Sequence, residues 1–114
     1  PINVFNNGKM KRDFTYIDDI VDGTISALEK NYKCEIFNLG NNKSEKLMDV
    51  VNLIEKYSKK KADINFMPIQ PGDVIESSAD IDKSIDMLDF KPKINIDEGI
   101  RNFMDWFKKY NNIK

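Results

Sequence analysis

A chain of 114 residues fits one domain with a modest hydrophobic core, since independent folding becomes difficult mainly below about 40 residues. Its 18 basic and 19 acidic residues leave a net charge of -1, so no global positive field exists to hold a nucleic acid. The single cysteine, Cys34, forms no internal disulfide, and no stretch resembles a signal sequence or is apolar enough to span a bilayer; the expectation is a reducing, cytoplasmic setting without a membrane partner.

The chain opens on Pro1-Ile2-Asn3-Val4-Phe5 with no initiator methionine and reads as a fragment. Ile2 to Phe5 is the first strand candidate, closed by Asn6-Asn7-Gly8, with a hairpin-like return after it. Asp13-Phe14-Thr15-Tyr16-Ile17 carries strand-forming residues and runs into Asp18-Asp19, whose carboxylates suit the start of a helix. Ile17, Ile20, Val21, Ile25 and Leu28 form the apolar face of that helix. Glu35 to Leu39 reads as a short strand ended by Gly40-Asn41-Asn42. Behind a Ser44 cap, Leu47, Val50, Val51, Ile54 and Tyr57 recur at the helical period, and Lys59-Lys60-Lys61 reads as a solvated helix end.

Ile64 to Ile69 returns to strand, broken by Pro68 and by the tight turn Gln70-Pro71-Gly72-Asp73. Asp80 caps a short helix through Leu88, stopped before Lys91-Pro92. Asn95 and Glu98 form a capping-box pattern ahead of Ile96, Ile100, Phe103, Met104, Phe107 and Tyr110. The aromatic residues of this last helix, Trp106 included, are expected in the core.

Several chemistries are excluded. The five glycines, Gly8, Gly23, Gly40, Gly72 and Gly99, are too widely spaced for a dinucleotide-binding loop or a P-loop. Without histidine there is no Ser-His-Asp or Cys-His arrangement, and no zinc-ligand spacing is recognisable. Tyr57 and Lys61 match Tyr-x-x-x-Lys, but Tyr57 completes an apolar stripe at a helix end, so the match is read as chance among many lysines.

Two loop constellations remain. In Gly8-Lys9-Met10-Lys11-Arg12-Asp13-Phe14, an arginine stands just before a strand in a chain that otherwise uses lysine. A forked planar donor there suits a phosphate or carboxylate; the alternative is a surface ion pair with Asp13 or another acid. In Gln70-Pro71-Gly72-Asp73, a fixed turn presents Asp73 either as an acceptor for ribose hydroxyls or as a plain Asx-type turn.

Lys11-Arg12-Asp13-Phe14-Thr15-Tyr16-Ile17-Asp18-Asp19-Ile20, Phe37-Asn38-Leu39-Gly40-Asn41, and Gln70-Pro71-Gly72-Asp73-Val74 followed by Ala79-Asp80 occur in this order over nearly the whole chain. In order and spacing they resemble the C-terminal portion of extended short-chain dehydrogenase/reductase sugar epimerases and dehydratases, with most similarity to UDP-glucuronate epimerases. The resemblance implies an α/β fold over residues 1–114, with a small mixed sheet and packed helices. This is the C-terminal, substrate-binding part of an NAD-binding Rossmann-type epimerase that oxidises a sugar at C4, lets it rotate and reduces it again. It implies that Arg12 contacts the nucleotide diphosphate, that Asp73 holds the ribose, and that the Asn38-Leu39-Gly40 strand end lines the cleft. Gln70 stands where related galactose epimerases carry an arginine, which leaves it a neutral hydrogen bond to the diphosphate. The NAD loop and the catalytic Tyr and Lys belong to an N-terminal Rossmann domain absent here, so the expected partners are a UDP-sugar and that domain. NAD is expected in the intact enzyme and not on this chain, which is expected to be an inactive monomer from a homodimeric parent. A dTDP-glucose dehydratase, a UDP-glucuronate decarboxylase and a non-catalytic interaction module are the alternatives.

Overall fold

The computed structural model describes residues 1–113. Four short strands and four helices follow in the order β1 (Ile2–Val4), β2 (Lys11–Asp13), α1 (Ile17–Lys30), β3 (Ser44–Lys46), α2 (Leu47–Ser58), β4 (Ile64–Phe66), α3 (Asp82–Leu88) and α4 (Ile96–Tyr110). β1 pairs in parallel with β4, Ile2 opposite Ile64 and Val4 opposite Phe66. β2 pairs antiparallel with β3, placing Arg12 opposite Glu45 and Asp13 opposite Ser44. The mixed α/β architecture is thus divided between two two-stranded sheets.

No hairpin joins β1 to β2. Between them Phe5–Gly8 forms a 3-10 turn in which Asn6, Asn7 and Gly8 all take positive φ, a conformation that asparagine and glycine tolerate best. This turn sends the chain into the second sheet, while β1 waits for β4, the crossover that a parallel pair requires. β4 ends earlier than its strand-forming residues, because Pro68 has no N–H to continue the ladder after Met67 N donates to Val4 O.

Two further strand expectations are corrected. The strand near Asp13 is Lys11–Asp13, and α1 has begun by Ile17. Glu35 to Leu39 is not a strand: no strand lies beside it among the described residues, and side chains hold its polar groups instead. Ser84 Oγ donates to Asn38 O at 2.5 Å, and Asn38 Nδ2 donates to Asp80 O at 3.1 Å. Ser44 likewise is not a cap; it belongs to β3, which runs directly into α2.

The helices follow their sequence patterns more closely. Asn95 Oδ1 accepts from Glu98 N at 3.0 Å, the expected cap of α4. Asp80 Oδ1 accepts from Asp82 N at 3.1 Å at the start of α3. Ile81, Leu88 and Phe90 form the buried cluster, covered by Ala27, Phe37, Leu39 and Ala79. Met104 of α4 is buried, but Phe103, Trp106, Phe107 and Tyr110 are exposed, against the expectation of a core position. They form a row of stacked and tilted rings along the helix.

Two carboxylates tie the elements together. Asp19, only 2% exposed, accepts from Lys93 N and Ile94 N, both at 3.0 Å, and so clamps the segment before α4 onto α1. Asp97 joins α4 to α2 by accepting from Lys56 Nζ at 2.9 Å and Tyr57 Oη at 2.8 Å. Tyr57 is therefore engaged with Asp97 while Lys61 pairs with Glu55, which gives the Tyr-x-x-x-Lys match a structural explanation.

Replacing Asp19 by alanine leaves two backbone N–H groups without their acceptor, each worth about 1–3 kcal/mol when buried. The expected loss is about 2–6 kcal/mol in urea denaturation; a loss within error would show that the clamp is dispensable. Hydrogen bonds from Lys56 and then Tyr57 hold the Asp97 carboxyl below its ordinary range. A lowered folded value means that the stabilisation is present above about pH 4 and is lost as pH falls through the folded value. Asp97→Asn is expected to reduce the acid-side slope of melting temperature against pH, while an unchanged slope would remove Asp97 from that role.

Candidate functional site

Side-chain alternation along β2 separates Arg12 from its neighbours Lys11 and Asp13. Asp13 takes the inner role. Its Oδ1 accepts from Asn41 N at 2.9 Å and its Oδ2 from Ala79 N at 3.0 Å, so one carboxylate fixes two irregular segments. Gly40 sits in the gap, where an added Cβ would lie 2.4 Å from the Ala79 Cβ and 3.0 Å from Asp13 Oδ2. The close approach of the Asn38–Asn41 segment to β2 thus requires glycine.

Arg12 is held by three acceptors. Nη1 donates to Lys11 O at 2.8 Å and to Ile75 O at 3.3 Å, while Nη2 donates to Asp73 Oδ1 at 2.8 Å. The side chains of the Arg12–Asp73 pair are 29% and 30% exposed, so the guanidinium is fixed yet reachable from solvent. Of its five N–H donors, the Nε–H and one on Nη2 have no partner among the described residues. Asp73 Oδ2 is likewise without a partner among them.

The turn that delivers Asp73 closes through its own N–H, which donates to Gln70 O at 3.1 Å. Gly72 takes φ +83° at its apex, with open space where a side chain would stand. The adjoining segment is tied to β2 by the Lys11–Glu76 ion pair at 3.2 Å and by Lys11 N donating to Ile75 O. Lys11, with help from Ser44, holds the Glu76 carboxyl below its ordinary range.

The structure therefore joins Arg12 directly to Asp73, with Gln70 contributing its carbonyl and keeping an exposed side chain. Asn38 lies elsewhere, in an open groove of about 440 Å³ shared with Asp13, Leu39, Ser77 and Asp80. Its amide is already engaged by Asp80 O. In the sequence Asp13 is legible only as an ion-pair partner and Gly40 only as part of the cleft lining; the structure makes both organising residues. An acid inside a strand-forming run was the available signal, because a carboxylate placed among apolar neighbours is costly unless donors are brought to it.

Residues 2–103 match the profile of a family described as GDP-mannose 4,6 dehydratase. The chain belongs to the NAD-dependent epimerase/dehydratase family. It is 53% identical over 106 residues to an uncharacterised protein of Methanocaldococcus jannaschii, covering 93% of this chain and 32% of that protein. Against a UDP-glucuronate 4-epimerase of Thermodesulfobacterium geofontis the identity is 38% over 110 residues, with 96% and 34% coverage. The solved UDP-glucuronic acid 4-epimerase from Bacillus cereus, in complex with UDP-glucuronic acid and NAD, superposes with a TM-score of 0.84 at 34% identity, covering 96% of this chain and 36% of that one. The chain thus spans about a third of the length of these relatives, as a C-terminal part of the family's fold. Among the described residues no helix is long and apolar enough to cross a membrane.

Replacing Gly40 by alanine forces its Cβ against Ala79 and Asp13. The expected outcome is faster hydrogen exchange at the Asn41 and Ala79 amides, with α2 and α4 less affected. Unchanged exchange at those two amides would mean that the segments are held by something other than Asp13.

Proposed function

We propose that residues 1–114 form the C-terminal, nucleotide-sugar-binding domain of an NAD-dependent UDP-glucuronate 4-epimerase. The observation that carries the reading is the state of Arg12: three acceptors fix its guanidinium plane, and two donors stay available on a solvent-reachable edge. A fixed fork of this kind suits a diphosphate oxygen, because its orientation is set before the ligand arrives. Asp73 offers its second oxygen to ribose hydroxyls, and the exposed Gln70 amide is within the same turn to add a neutral hydrogen bond. Asn38 and its groove form the border of the cleft toward the sugar.

The reading draws support from the UDP-glucuronate 4-epimerases among the relatives and from the Bacillus cereus enzyme that binds UDP-glucuronic acid and NAD. In such an enzyme NAD, when bound, takes hydride from the sugar at C4 and returns it. The residues described here serve the nucleotide end, and the remaining portion of the parent supplies the cofactor site and the catalytic groups. By itself this chain is expected to bind without turning over. The dehydratase description of the matching family supports a second reading, in which the same nucleotide end serves a dehydratase or decarboxylase. Product analysis of the full-length protein with UDP-glucuronate separates the two.

Titrating the chain with UDP is expected to shift the amide signals of Arg12 and of the Gln70 to Asp73 turn. Arg12→Ala should weaken UDP binding roughly 10- to 100-fold, the loss of about 1.5–3 kcal/mol for hydrogen bonds to a charged partner. Arg12→Lys should recover only part of that, because a lysine lacks the fork. An unshifted spectrum of the folded chain, together with undiminished UDP-sugar binding by the full-length Arg12→Ala protein, would overturn the assignment.

A further inference from the structure

Arg12 shares its face of the β2–β3 pair with two further charges. In the antiparallel register Glu45 lies directly opposite Arg12, and side chains so placed have Cβ atoms about 4.5–5.5 Å apart. The carboxylate of Glu45 nevertheless pairs with Lys43, whose Nζ lies 2.7 Å from Glu45 Oε1. The Glu45 side chain is 14% exposed and that of Lys43 66%, so the acid is an inner anchor and the ammonium a solvent-reachable tip. Lys43 stands just before β3, two positions from Glu45, and is thus the diagonal neighbour of Arg12 across the pair. Diagonal neighbours are about 7–8 Å apart, within reach of long side chains.

A row of alternating charge results. Asp73 is bonded to Arg12, Arg12 stands opposite Glu45, and Glu45 is paired with Lys43. The two ends lie on opposite edges of β2. β3 runs along one edge and segment 75–77 along the other, since Lys11 N donates to Ile75 O and Ser77 N to Lys11 O. The four charges cancel. Without Lys43 the row is two carboxylates flanking one guanidinium, and it is negative. A diphosphate, with a negative charge on each phosphate, then gains the two free Arg12 donors only against repulsion from both acids. The neighbouring lysines do not relieve this: Lys11 is paired with Glu76, and Lys46, one position from Glu45, alternates to the other face.

We infer that Lys43, held by Glu45, is the second cation of the diphosphate site and takes the phosphate farther from the ribose. The inference rests on the nucleotide reading of Arg12 and Asp73 and adds a binding residue to it. The order along the row carries it. Asp73, given to the ribose in that reading, is at one end, Arg12 follows, and Lys43 closes the other end. A nucleoside diphosphate presents ribose, first phosphate and second phosphate in the same order. An ammonium has three donors, so pairing with one carboxylate oxygen leaves others for a phosphate. Glu45 is then a positioning residue: it keeps a flexible lysine on the Arg12 face before the ligand arrives, which lowers the ordering cost of binding.

Calorimetric titration of the full-length protein with UDP and with UMP tests this, because UMP lacks the second phosphate. Lys43→Ala is expected to weaken UDP binding about 10-fold, the lower end for a hydrogen bond to a charged group since Lys43 is largely exposed. UMP binding should change far less, so the preference for UDP over UMP shrinks. Lys43→Arg should retain that preference, and Lys46→Ala, on the other face, should leave both affinities as they are. Undiminished UDP affinity in Lys43→Ala overturns the inference and leaves Lys43 a surface ion pair. Equal losses for UDP and UMP, or the same loss in Lys46→Ala, overturn it too, since they assign the effect to overall charge or to the fold. Arg12→Ala separates this from the reading beneath it. If that variant binds UDP undiminished, or the unsubstituted protein binds none, the nucleotide reading fails and the Lys43 assignment with it. If Arg12→Ala weakens both ligands while Lys43→Ala weakens neither, only the Lys43 assignment falls.

Discussion

The carboxylate of Asp13 is the constraint on which the candidate site depends. Its two oxygens accept backbone N–H groups from residues 28 and 66 positions away, so one side chain does what a longer sheet does elsewhere: it fixes the spacing of three chain segments. Because β2 alternates its side chains, holding Asp13 inward also sets where Arg12 points. The guanidinium then meets Ile75 O and Asp73 on the segment whose far end Asp13 itself anchors at Ala79. Arg12 is positioned from both ends of one loop. A carboxylate accepting two backbone donors is also a stronger tie than a neutral pair, which suits a junction with only three residues of strand on either side.

The same device recurs because the strands are too short to order the chain by pairing alone. Asp19 holds the segment before α4, and Ser84, fully buried, donates to Asn38 O from α3. No buried side-chain nitrogen or oxygen lacks a partner among the described residues, so these polar groups add position without a desolvation cost left uncompensated. The arrangement orders the loops around the site while leaving the helices' outer faces to other contacts.

What the sequence made legible was local. The helical period of α1, α2 and α4 and the Asn95 cap depend on residues within a few positions of one another, and the structure has them where the pattern put them. Pairing was not legible, because β1 finds β4 across about sixty residues and each strand contributes only three. Glu35 to Leu39 shows the limit in the other direction: strand-forming side chains state a preference, and a strand exists only where a neighbour supplies the ladder. The α4 aromatics show it again. Periodicity reveals that a helix has an apolar face, but not whether that face is buried. Arg12 and Asp73 were each legible as polar residues beside turn or strand signals. Their contact, 61 positions apart, was not.

That contact shapes what the proposed site is able to recognise. A bare anion approaching Arg12 meets the negative charge of Asp73 at the same place, and the two compete for one guanidinium. Repulsion between phosphate and carboxylate is offset only when the ligand also brings hydrogen-bond donors for the unpartnered Asp73 oxygen. A nucleoside diphosphate does so through its ribose hydroxyls, and inorganic pyrophosphate does not. In the proposed role, then, Asp73 has two effects: it holds the fork of Arg12 in place before binding, and it makes the fork a poor receptor for phosphate alone. Selectivity of this kind comes from a group that is unfavourable to the wrong ligand as much as from one that is favourable to the right one.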